Sequence, residues 1–149
     1  MDATIETLEA VPVMGITEHV KMAEIGLRIG ALMPEIMAVA GPAMAGPVVA
    51  RYRSFDAETG ESDMELAVPV RSAMEAQGRV TPAELPAARA AVIWHVGPYD
   101  TLVATWEALG AWMAKEGLTA RDAPWEEYHS DCSVTPPEEL RTRIVWPVA

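Results

Sequence analysis

The chain has 149 residues, half of them apolar and 22% charged, enough for a sizeable core in one pseudo-symmetric domain. Its 22 acidic residues against 11 basic ones give a formal net charge of −11, a surface that repels phosphate backbones and argues against direct nucleic-acid binding. No apolar run approaches the ~20 residues that cross a bilayer, and the start "MDATIETLEA" is acidic, so no span or secretory signal is expected and a cytoplasmic location is.

In chain order, Ile5 to about Thr17 reads as a strand broken at Pro12, where a missing N–H suits an edge or a bend. Met22, Ile25, Ile29, Leu32, Ile36 and Val39 then recur at alternating steps of three and four, which predicts one apolar face of a helix. Pro34 is expected to kink that helix, and Gly41-Pro42 to end it. "PVVARYRSF" (47–55) and "DMELAVPV" (63–70) read as strands joined by the turn-forming "DAETGES". A linker at about 71–86 follows, in which "RVTPAELP" (79–86) extends the sheet at its edge.

The scheme then repeats. "AARAAVIWHV" (87–96) predicts a strand, Gly97-Pro98 a sharp break, and Leu102, Trp106, Leu109 and Met113 a helix face. Asp100 lies in its first turn and Gly117 at its end, as the helix dipole and C-terminal capping favour. "PWEEYHS" (124–130) and "LRTRIVWPV" (140–148) predict the last strands.

The two halves share landmarks. His19 aligns with His95 and Tyr52 with Tyr128 at a common offset of 76 positions, with Gly41 on Gly117. Slightly out of that step, "ELAVPV" (65–70) faces "RIVWPV" (143–148), so Glu65 stands where Arg143 stands. An internal repeat fixes architecture before any single motif does. The prediction is an α+β domain of two pseudo-symmetric βαββ modules: repeat 1 at about 4–70, the linker with its edge strand at about 71–86, and repeat 2 at about 87–149. Both helices are expected on one face of an antiparallel sheet, with a ligand groove on the other, between the halves.

Period two puts Glu126 and Tyr128 on one face of their strand and Trp125, Glu127 and His129 on the other. Thr142, Ile144 and Trp146 look core-directed, which assigns Arg143 to the groove beside Glu126. The expected groove is lined by Glu65, Glu126 and Arg143, with Tyr52 and Tyr128 beside them and Trp94 and Trp146 near it. A carboxylate in an apolar cleft is costly unless paired, so Glu126 either forms a cross-strand pair with Arg143 or is kept for a ligand. The three histidines lack close ligand spacing, and no metal or cofactor is expected; there is no glycine-rich phosphate loop and no EF-hand. Cys132 is single, which excludes an internal disulfide.

"ELPAARAAVIWHVGPYDTLVATWEALGAWMAKEGL", then "PWEEYHSD", "TPPEELRT" and "VWPV", resemble the GyrI-like small-molecule-binding family, whose module also forms effector-binding domains of AraC-type and MerR-type regulators. The match runs from about residue 4 to the end and is densest over 84–148. The resemblance implies paired βαββ modules and an aromatic-lined pocket with a central acid, here Glu126, that takes varied, often lipophilic and cationic compounds. Two positions depart from the family pattern: Cys132 replaces a usual proline, and Arg143 a usual acid.

No helix-turn-helix precedes the module, so the expectation is a stand-alone binding protein for an amphipathic, partly aromatic small molecule. In the enzymatic alternative, which relatives also imply, Glu126 is the general base and Tyr128 the hydrogen-bond donor in hydrolysis of a strained, cyclopropane-bearing toxin. In a third, the chain is a protein partner of DNA gyrase or of a transcription regulator. The sequence leaves the oligomeric state open.

Overall fold

A computed structural model describes residues 2–131 and 133–149; Cys132 lies outside the described residues. In order the chain forms β1 (Thr4–Leu8), β2 (Val11–Lys21), α1 (Ile25–Ala40), β3 (Val48–Tyr52), β4 (Glu61–Pro69), β5 (Thr81–Leu85), β6 (Ala88–Val96), α2 (Leu102–Lys115), β7 (Trp125–Tyr128) and β8 (Arg141–Val148). The class is mixed α+β. The chain resolves into two units, one of β1 with Ala87–Ala149 and the other of Ala10–Pro86.

In the second of these, the strands run in the order β3-β4-β2-β5, all antiparallel. Its helix α1 buries Leu32 and Ile36, both on the face that the three-and-four spacing predicts, and also Ala40, which that spacing does not include. The helix is assigned as one element through Pro34. Proline there has no N–H to offer the Gly30 carbonyl, and Gly30 is exposed. β5 pairs with β2 from Val11↔Leu85 to Gly15↔Thr81, the edge extension expected of 79–86.

The other unit has the strand order β1-β6-β8-β7, again antiparallel. The residues read as one N-terminal strand are thus two: Thr4–Leu8 pairs with β6, while Val11–Lys21 pairs with β4. Helix α2 packs Leu102, Leu109 and Met113 against Ala91, Ile93, Ile144 and Val148, with Trp106, Trp112 and Trp146 around them. Gly117, at φ 69°, ends the helix: the Leu118 N–H donates to the Met113 carbonyl at 2.9 Å, the backward bond of a Schellman cap.

His19 and His95, aligned in the sequence at an offset of 76, have different surroundings. His19 is exposed between two carboxylates, with Nδ1 2.7 Å from Asp63 and Nε2 3.1 Å from Glu61, and these hydrogen bonds raise its pKa above the ordinary 6.5. A raised histidine pKa favours the folded state at low pH and loses that contribution as pH rises through the folded value. An NMR titration of His19 is therefore expected to show a midpoint above 6.5 that falls back towards it in Asp63→Asn.

Candidate functional site

Glu126 is the centre of a polar cluster on the β7 and α2 side of its unit. It is 6% exposed, and its two oxygens accept from different elements. Trp106, on α2, donates Nε1–H to Oε2 at 2.6 Å, and Tyr128, two residues along β7, donates its hydroxyl to Oε1 at 2.6 Å. The Tyr128 distance is that of an O–H bond to a carboxylate. The two bonds fix the orientation of the carboxylate.

Aromatic rings surround the cluster. Tyr99 meets Tyr128 edge-on at 5.7 Å, and Trp106 meets Trp146 edge-on at 5.7 Å. This edge-to-face geometry is the preferred one for aromatic pairs. Thr142, opposite Tyr128 in register and completely buried, has a hydroxyl without a hydrogen-bond partner among the described residues.

The register corrects the expected face. Directly opposed residues of antiparallel strands share a face, and β7 and β8 pair Glu126 with Ile144 but Glu127 with Arg143. Glu126 thus lies on the side that carries α2, with Ile144, not on a surface turned away from the helix. Arg143 is on the opposite face and does not neutralise Glu126: its guanidinium binds Glu127 at 3.0 and 3.2 Å and Glu6 at 2.8 Å. Trp94, opposed to Arg143, is also removed from the Glu126 face; it stacks under Arg141 at 4.5 Å and against His129 at 4.8 Å. Trp146 is retained beside the acid through its contact with Trp106.

Glu127 itself is held by Trp125 Nε1–H at 2.9 Å, His129 Nε2 at 3.0 Å and Arg143. Burial works to raise its pKa, but those hydrogen bonds and the arginine charge prevail and keep it below the ordinary range. Tyr52 and Glu65 belong to the other unit. Tyr52 ends β3 opposite Met64, and Glu65 is 7% exposed and accepts from Arg53 at 3.1 Å. Among the described residues, no group of three or more His, Cys, Asp or Glu side chains gathers as a metal site.

Sequence reasoning missed Trp106 and Tyr99 as site residues. Trp106 reads as core from its helix spacing, but its partly buried indole donates its N–H to Glu126. Tyr99 is the last residue of the His-Val-Gly-Pro-Tyr turn, which served to mark the family and not to place a side chain.

The chain belongs to the GyrI-like small molecule binding domain family, whose model matches residues 1–149. No curated protein matches in sequence. Among solved structures, the C-terminal domain of EcmrR is similar at a TM-score of 0.88 and 20% identity, over 99% of this chain and 97% of that one. EcmrR in its DNA complex matches at 0.86 and 21% identity, and there 99% of this chain spans 57% of the regulator. SAV2435 bound to tetraphenylphosphonium matches at 0.74 and 15% identity, over 100% and 94% of the chains. A hydrolase from Listeria innocua matches at 0.67 and 14% identity, over 99% and 91%. Among the described residues no helix is long and apolar enough to cross a membrane.

Proposed function

We propose that this chain binds an amphipathic, partly aromatic cation, with Glu126 as its electrostatic anchor. The observation that carries the reading is the buried carboxylate whose two oxygens accept from an indole and a phenol. A buried charge is costly, and hydrogen bonds from the indole and the phenol reduce that cost. A cation entering beside it gains Coulomb energy in a poorly screened environment, and the rings of Tyr99, Tyr128 and Trp146 offer flat apolar area and cation–π faces. For Tyr52 and Glu65, within their own unit, we keep the ligand-contact role that the sequence assigns them, to be read from the affinities of Tyr52→Ala and Glu65→Gln.

SAV2435 binds tetraphenylphosphonium, which makes that ion the first probe. A ligand that binds only the folded chain stabilises it by RT ln(1 + [L]/Kd), about 2.7 kcal/mol at a hundredfold excess over Kd. Thermal melts are therefore expected to rise with tetraphenylphosphonium concentration; a melt unmoved up to millimolar cation contradicts the reading. The second reading is hydrolysis of a strained electrophile, favoured by the Tyr128 hydroxyl beside Glu126. Ring-opened product from a cyclopropane-bearing substrate, lost in Glu126→Gln, would replace binding by turnover. Modulation of gyrase or of a regulator remains the third, read by pull-down of either partner.

A further inference from the structure

The turn between β6 and α2 is tied down by a buried histidine that the binding reading leaves without a role. His95 is 5% exposed at the end of β6. Its Nε2 lies 3.0 Å from the Pro98 carbonyl and 3.1 Å from the Thr101 hydroxyl, and its Nδ1 lies 2.7 Å from the Thr105 hydroxyl. A carbonyl only accepts, so Nε2 carries the proton, and Nδ1 then accepts from Thr105. The Pro98 carbonyl also accepts from the Thr101 hydroxyl at 2.8 Å and the Thr101 N–H at 3.2 Å. Gly97, at φ 139°, supplies the backbone conformation that turns this carbonyl back over the ring.

The next residue is Tyr99, which meets Tyr128, which donates to Glu126. The equivalent His19 engages Asp63 and Glu61 instead, so the device occurs on the Glu126 side of the repeat alone.

We propose that His95 is a positioning residue of the ligand site: through its Nε2–H bond to the Pro98 carbonyl it seats Tyr99 against Tyr128 and so shapes the aromatic wall beside Glu126. The ligand part of this inference rests on the binding reading above; the seating of Tyr99 does not. Glutamine at 95 reaches the ε position with an N–H, whereas asparagine reaches only the δ position.

The experiment has a ligand-free and a ligand-bound arm. In the first, NMR is expected to show the Nε2-protonated tautomer of His95, and ring-to-ring NOEs between Tyr99 and Tyr128 that persist in His95→Gln and vanish in His95→Asn. NOEs that survive in a folded His95→Asn, or an Nδ1-protonated ring, overturn the proposal. Should His95→Asn not fold, Thr101→Val keeps the histidine but removes one link to the carbonyl and must weaken the same NOEs.

In the second arm, tetraphenylphosphonium affinity is expected to fall about three- to tenfold in His95→Asn and in Tyr99→Ala, the worth of one edge-on aromatic contact. The double variant is expected to lose no more than Tyr99→Ala alone, because one residue acts through the other. Additive losses, or a lowered melt with affinity intact, reduce His95 to a structural role. If the cation binds no better to wild type than to Glu126→Gln, the binding reading has failed, and the first arm still decides the seating of Tyr99.

Discussion

Glu126→Gln is expected to weaken tetraphenylphosphonium binding about 30- to 100-fold, the worth of about 2–2.7 kcal/mol of Coulomb attraction at roughly 6–8 Å in an effective dielectric of about 20. The substitution keeps shape and removes charge. Its amide turns an N–H2 towards either Trp106 or Tyr128, and the Tyr128 hydroxyl can rotate to accept where it now donates. The cluster thus retains a hydrogen-bonded arrangement, and the fold is expected to survive. Isothermal titration of both proteins measures the ratio, and thermal melts without ligand show that the variant is folded. An unchanged Kd would move the recognition element away from residue 126.

The second large effect is on stability. Among the described residues, Arg143→Leu leaves Glu127, at 9% exposure, with the indole of Trp125 and the ring of His129 as partners. Removing one partner of a buried ion pair costs about 3–5 kcal/mol. Arg143 is 16% exposed along its side chain, which places the expected loss near the low end, about 3 kcal/mol by urea unfolding.

The pH dependence has a definite sign. The folded pKa of Glu127 lies below its ordinary 4.5, so the pair's contribution is present above that value and is lost as pH falls through the folded one. The deficit of Arg143→Leu should be full at neutral pH and narrow below about 4.5, where wild type also protonates Glu127. A deficit independent of pH would mean that the arginine acts through packing alone.

Much of the fold was legible because its signals are long. The helix faces recur over four turns, the turns carry Gly, Pro and Asp, and the landmarks return in the same order. The N-terminal strand was misdivided because Pro12 drew the break: it sits inside β2, paired with Glu84 of the edge strand β5, while the chain leaves β1 at Leu8.

The site was half legible, for a reason peculiar to β7. This strand has four residues, two of them adjacent glutamates, and period two separates Glu126 from Glu127 without saying which faces the helix. Arg143 was drawn to the wrong acid because Thr142, Ile144 and Trp146 were read as core and the acid as groove, when both lie on one face. Only the partner across the strand resolves this, and pairing register is not written in a single strand. Trp106 shows the converse: its position on the helix face was evident, but the use of its N–H depends on what stands opposite.

The proposed binding requires a fixed negative charge at position 126 to select the ligand. Tetraphenylphosphonium and tetraphenylborate have nearly the same shape and opposite charge, so their Kd values, measured side by side in wild type and Glu126→Gln at one ionic strength, isolate it. The cation should bind wild type and the borate should not, with the preference largely lost in the variant. Equal affinities for the two ions, or tighter binding of the borate to wild type, would contradict the account.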